Sequence, residues 1–224
     1  MRFGLFFTFL VIFFTAGSFA QQIRTTVKFK QPDIRAKLSN PNVHIIFQDS
    51  QGFMWIGTDD GLNRFDGYGY KIYRNVPGDS TSLVKNRIQC IFEDSRGTLW
   101  VSTIVQGLHH YDRRSDTFKR ITEFSQQGTQ IMDILEDRTG NIWLGGIDKN
   151  QTFIARIDQK TGQCKRHDLL STIDHIYTML QVSDEELWLG TRTNGLYSWN
   201  IKTEQLAEKG RNEIAIQRYR KTAC

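Results

Sequence analysis

Residues that carry chemistry are present in this chain, but seldom at the spacings chemistry uses. Asp59 and Asp60 are adjacent carboxylates. Sequence neighbours usually diverge, and glycoside hydrolysis needs two carboxylates held across a cleft. His109 and His110 lie in a strand-like segment, where successive side chains face opposite ways, so they cannot easily share one metal. His44, His167 and His175 are isolated. Cys90, Cys164 and Cys224 are odd in number and widely spaced, which suits neither a disulfide framework nor a zinc site. Cys90, within "RIQCIF", reads as a small hydrophobe. No Gly-x-Ser-x-Gly nucleophile motif occurs. The expectation is a chain with no catalytic residue, no metal and no cofactor.

What recurs is a ten-residue unit: "DSQGFMWIGT" from Asp49, "DSRGTLWVST" from Asp94, "DRTGNIWLGG" from Asp137 and a degraded "VSDEELWLGT" from Val182. A calcium loop would need oxygen ligands at alternating positions over about twelve residues, and these are missing. The unit also differs from the aspartate box of sialidases, in which Asp and Gly stand two apart. A structural reading fits better. Asp49, Asp94 and Asp137 cap the backbone donors of a tight turn, and Gly52, Gly97 and Gly140 take the positive φ that closes it.

Trp55, Trp100, Trp143 and Trp188 follow at spacings of 45, 43 and 45 residues. That period indicates a propeller or a similar repeat array. Each unit opens with a strand-sized apolar run, "VHIIFQD", "IQCIFED", "IMDILED" or "IYTMLQV". In the strand after the turn, Trp and the small residue two positions on (Gly57, Ser102, Gly145, Gly190) share one face, beside apolar residues on the other. Both faces being apolar suits a strand sandwiched between neighbouring sheets. Third strands follow in "GLNRFDG", "GLHHYDR", "TFIARID" and "GLYSWN", and weaker fourth strands in "GYKIY", "TFKRI" and "QCKRH". The predicted fold is all-β: four four-stranded antiparallel propeller blades over residues 42–208, an incomplete ring.

Hairpin connectivity gathers the loops between second and third strands, and those between blades, at one end. Propellers bind through such clustered loops. The candidate ligand residues are therefore Asp59, Asp60, Val105, Gln106, Asp148, Lys149, Arg192 and Asn194, with the long segment 74–86. Their polar groups would suit the hydroxyls of an oligosaccharide.

Residues 1–20 read as a signal peptide: Arg2, the apolar "LFFTFLVIFF", then "SFA" as a small-x-small cleavage site. Export to the periplasm would leave Gln21 at the N-terminus, and residues 21–41 include "TTVKFK" (Thr25–Lys30), a candidate closing outer strand. The formal charge of +5 is unevenly placed. Arg2 holds one charge and the tail 209–224 a net four, so the body between them sums to zero. A phosphate-binding groove needs surplus charge across the fold, so no nucleic-acid partner is expected, and the tail reads as a disordered basic run.

The unit I-x-x-I-x-x-D-x-x-G-x-x-W-[IVL]-G-T-x-x-G-L-x-x-[FY]-D resembles the two-component regulator propeller repeat, found in the periplasmic sensor part of hybrid two-component histidine kinases. "FQDSQGFMWIGTDDGLNRFDGYGYKIYRNVPGDSTSL" (Phe47–Leu83) is similar to the first repeats of such receptors. The resemblance implies two seven-bladed propellers, an immunoglobulin-like domain, a membrane helix and a kinase core in a full-length receptor that senses polysaccharide. No kinase histidine box or nucleotide-binding motif is found here. The chain is thus expected to be a truncated sensor portion without kinase activity, its partners the missing kinase and remaining blades. Self-association through open blade edges is expected too. A secreted propeller enzyme acting on polysaccharide, or a structural or protein-interaction propeller, are the alternatives.

Overall fold

A computed structural model describes residues 38–170 and 173–209. The signal peptide, the outer strand at Thr25–Lys30 and the tail beyond Lys209 lie outside the described residues. Each apolar run becomes the first strand of a four-stranded antiparallel sheet, and strand order within each of the four sheets follows the chain. The first sheet comprises β1 (Val43–Gln48), β2 (Met54–Thr58), β3 (Gly61–Phe65) and β4 (Tyr70–Tyr73). The second has β5 (Ile88–Glu93), β6 (Leu99–Thr103), β7 (Leu108–Asp112) and β8 (Thr117–Ile121). The third has β9 (Gln130–Glu136), β10 (Ile142–Asp148), β11 (Gln151–Ile157) and β12 (Cys164–Asp168). The fourth has β13 (Ile176–Gln181), β14 (Glu186–Thr191), β15 (Leu196–Asn200) and β16 (Gln205–Lys209). The sequence reading names no fourth strand here. "QLAEK" lacks an apolar period, and β16 forms by pairing its backbone with β15.

The sheets stack in chain order through their first two strands, β1 and β2 against β5, β5 and β6 against β9, and β9 and β10 against β13. No comparable contact joins β13 to β1. Three apolar clusters form, one per junction. The first sets Trp55, Ile45 and Phe47 against Ile88, Ile91, Leu99 and Val101 of the next sheet. The second and third repeat this with Trp100 and Trp143. Burying such side chains stabilises by about 1.5–3 kcal/mol each.

The glycine two residues after Trp sets the spacing of the sheets. A Cβ on Gly57 would lie 2.7 Å from Ile88 Cγ2, and one on Gly145 2.8 Å from Ile176 Cγ2. Ser102 fills the same place by donating its hydroxyl to Ile131 O at 2.9 Å. Gly57→Val is therefore expected to destabilise by about 1–3 kcal/mol through overpacking. Gly69→Ala, where a Cβ meets nothing within 4 Å, should be near neutral. Urea melts of the two variants check this, and equal midpoints would show that Gly57 does not set the spacing.

The turns carry a bond that spacing alone did not reveal. One oxygen of Asp137 accepts from Thr139 N and Asn141 N at 2.9 and 3.0 Å, and the other accepts from Trp143 Nε1 at 2.8 Å. Asp49 holds Trp55, and Asp94 holds Trp100, in the same way at 2.8 and 2.9 Å. Gly52, Gly97 and Gly140 have φ of 87°, 78° and 84°, as the turn requires. The carboxylate therefore ties the turn to the ring that fills the junction. The fourth sheet has Val182 in place of Asp, and its Trp188 is half-buried.

Candidate functional site

The loops between second and third strands do gather with the segments that precede each first strand. Asp59 N donates to Asn42 O (3.2 Å), Ile104 N to Arg87 O (2.9 Å) and Arg192 N to His175 O (3.0 Å). A threonine braces three of these loops: Thr58 donates to Gly61 O at 2.9 Å, Thr191 to Gly195 O at 2.8 Å, and Thr103 to Gln106 O. Every first strand also shifts register by one residue, at His44, Gln89, Met132 and Tyr177. Such a bulge re-aims the end of a strand next to a site.

Asp59 and Asp60 part company. Asp59 meets His44 Nε2 at 2.6 Å, Asn42 Nδ2 at 2.9 Å and Arg87 Nε at 3.1 Å. The hydrogen bond from His44, then that from Asn42, holds its carboxyl below the usual range. Asp60 instead pairs with Arg74 Nη2 (3.1 Å) and Asn86 Nδ2 (2.9 Å). Of segment 74–86, Arg74 and Asn86 thus join the loop face, whereas Thr81 O accepts from Phe118 N at 2.8 Å and extends the edge of β8.

On the third blade Asp148 pairs with Arg166 at 3.1 Å, and Lys149 occupies the left-handed region with φ 46°. On the fourth, Asn194 accepts from Asp174 N at 2.9 Å, and Asp174 binds His175. The His175 contacts lower the Asp174 pKa. Gln106 contributes a backbone carbonyl to its loop. The exposed side chains of Lys149 and Arg192 make no hydrogen bond or ion pair among the described residues. The face therefore offers braced carboxylates on the first, third and fourth blades and available cations on the third and fourth, groups able to hydrogen-bond hydroxyls. Sequence reading took His44 and His175 as isolated, whereas each meets a carboxylate, and it passed over Arg87 and Asp174. Their only signal was position, just before or at the start of a first strand.

A concavity of about 510 Å³ opens away from the loop face, between the second and third blades. Its wall holds Trp100 stacked on His110 with ring centroids 5.3 Å apart, and beyond them Arg120, Glu123 and Cys164. Burial, then Lys119, lowers the His110 pKa, and burial, then Glu123, raises that of Cys164. At neutral pH this leaves a neutral imidazole and a protonated thiol, which is not an activated nucleophile pair. His109 and His110 do take opposite faces: His109 is fully buried and accepts from Val84 N at 3.3 Å. Among the described residues no group of three His, Cys, Asp or Glu is placed to hold a metal, and no helix is long and apolar enough to cross a membrane.

Comparison with known proteins agrees with this architecture. The two-component regulator propeller family matches at residues 37–60, 82–104 and 125–148, the turn-and-Trp segments of the first three blades. A histidine kinase of Formosa agariphila is 59% identical over 46 residues, which is 20% of this chain and 3% of that protein. Among solved structures, one described as the extracellular domain of a hybrid two-component system of B. thetaiotaomicron aligns with TM-score 0.65 at 24% identity. It covers 78% of this chain and 25% of the other. A second such domain from that organism gives TM-score 0.50 at 18% identity, covering 82% and 32%. These structural likenesses show the propeller fold, and the chain spans only a small part of each relative.

Proposed function

We propose, for a chain that carries two-component regulator propeller repeats, that it is the periplasmic, ligand-sensing portion of a two-component receptor and binds an oligosaccharide at its loop face. The repeats carry this reading: the two-component regulator propeller family matches over three blades, and a similar segment occurs in a histidine kinase. Support comes from the loop face, where Asp59, Asp60, Gln106, Asp148, Lys149, Arg192 and Asn194 stand at one end of successive blades. Braced polar groups lose little freedom on binding, which favours recognition of a flexible sugar. The apolar segment at residues 1–20 supports export of the sensor portion.

Titration calorimetry of the purified chain against a glycan library tests the reading. Saturable binding without product is the expected result. Arg192→Ala should weaken it roughly tenfold, the loss of about 1.4 kcal/mol of charge-assisted hydrogen bonding, with the melting temperature unchanged. Release of shorter sugars would identify an enzyme instead. Absence of binding across the library would sink the oligosaccharide assignment.

A further inference from the structure

The three junctions between blades are the same contact made three times, and among the described residues no strand covers its two halves at opposite ends of the stack. On the leading half, Ile91, Ile134 and Met179 are 4%, 4% and 6% exposed, but their counterpart in β1, Ile46, is 61% exposed. Val43 is 39% exposed where Ile88, Ile131 and Ile176 are covered. On the trailing half, Trp188 is half-buried and Leu180 is 42% exposed. The counterparts of Trp188, which are Trp55, Trp100 and Trp143, are 6% exposed or less, and those of Leu180, which are Phe47, Phe92 and Leu135, are half-buried.

A polar clasp accompanies each junction. Glu93 accepts from Ser50 N and Oγ of the preceding blade at 2.6 and 2.9 Å. Glu136 does so from Ser95, both at 2.6 Å, and Gln181 from Arg138 N at 2.8 Å. Gln48 stands at the same place in β1, and its side-chain oxygen accepts nothing among the described residues. Ser183 stands at the Ser50 place in the fourth turn.

We propose that the leading face of one copy docks on the trailing face of a second copy, reproducing the junction already present within the chain. The occupant is committed to by complementarity: the face that fits β13–β16 has the residues of β1 and β2, and one molecule carries both. The contact is head-to-tail, and the four described blades of two copies would make eight, within the usual range of propeller rings. The inference stands apart from the oligosaccharide reading, since it uses neither the loop face nor a ligand.

The test mixes full-length chain carrying Gln48→Cys with full-length chain carrying Ser183→Cys and adds a short bis-maleimide. Parent chain treated alike sets the background from native cysteines. A cross-linked dimer that appears in the mixture and in neither variant alone is the expected result. Ile46→Asp in the first partner, or Leu180→Asp in the second, should cut its yield at least roughly tenfold by placing charge in the apolar contact. Both sites are exposed, and circular dichroism verifies that each variant keeps its fold. No mixed product, or one indifferent to both substitutions, overturns the proposal and leaves these faces to blades from a longer chain or to another protein.

Discussion

Trp143→Ala is expected to destabilise the folded chain by about 3–5 kcal/mol, the range for truncating a large buried aromatic side chain. Trp143 is 2% exposed and packs against Ile176, Met179, Leu187 and Leu189 of the following blade. The ring is also the donor to Asp137 at 2.8 Å, so its removal withdraws one partner from a buried carboxylate. Trp188→Ala deletes the same side chain from a face with no blade upon it. There the expected cost is about 1–2 kcal/mol, because less apolar surface is re-exposed. Paired denaturant melts measure the difference between the two. Equal losses would mean that the tryptophans act within their own sheets and not across the junctions, and the stacking account would fail.

Asp137→Asn probes the other half of the pair. The amide can still accept from Thr139 N and Asn141 N, but its NH₂ then faces Trp143 Nε1, and two donors oppose each other. A loss of about 1–3 kcal/mol is expected, as for any buried group left unsatisfied.

Acidification should unfold the chain in two stages, the first unusually early. His109 is fully buried, and burial, the largest influence, pushes its pKa down from 6.5 to about 4. Its neutral form alone fits the site beside Val84 N, while the unfolded chain takes up the proton more readily. The stability His109 allows is therefore complete above pH 6.5 and declines as pH falls from there to about 4, by about 3 kcal/mol in all. The second stage belongs to Asp49 and Asp137. Burial alone would raise both pKa values. Bonds from Trp55 and Arg113 to Asp49, and from Thr139 and Trp143 to Asp137, outweigh it and hold them below 3.8. Their contribution is present above pH 3.8 and fades as pH drops through the folded pKa. The position homologous to His109 in the first blade is Asn63, also buried. His109→Asn should accordingly flatten the slope between pH 6.5 and 4 and leave the acid limb below it. A slope unchanged in that variant would place the early stage elsewhere.

The repeat was legible in the sequence because it is written in residues whose local physics is demanding. A turn that needs positive φ selects glycine, donors at its start select aspartate, and a gap between sheets selects tryptophan beside a glycine. Recurrence of that set at 45, 43 and 45 residues determined the blades, their order and the end at which their loops gather. The same logic separated His109 from His110, since neighbours in extended backbone diverge; Asp59 and Asp60, in the turn after β2, part as well.

Other features only the tertiary structure decided. β16 is a strand because β15 offers it a backbone to pair with, which the polar "QLAEK" does not announce. The Asp to Trp bond joins residues six apart across a turn, and the Glu93 to Ser50 clasp joins residues 43 apart on different blades. Neither follows from a period: the Asp to Trp bond depends on how one ring is turned within its own hairpin, and the clasp on how two sheets are spaced and rotated. Arg87, just before the next blade, reaches Asp59 for the same reason as the clasp, and His44 reaches it across its own sheet. Sequence by itself determined what each blade is, because strand, turn and burial preference are local. The partners across blades, and the two faces left without one, were set by packing, which is a property of pairs of surfaces.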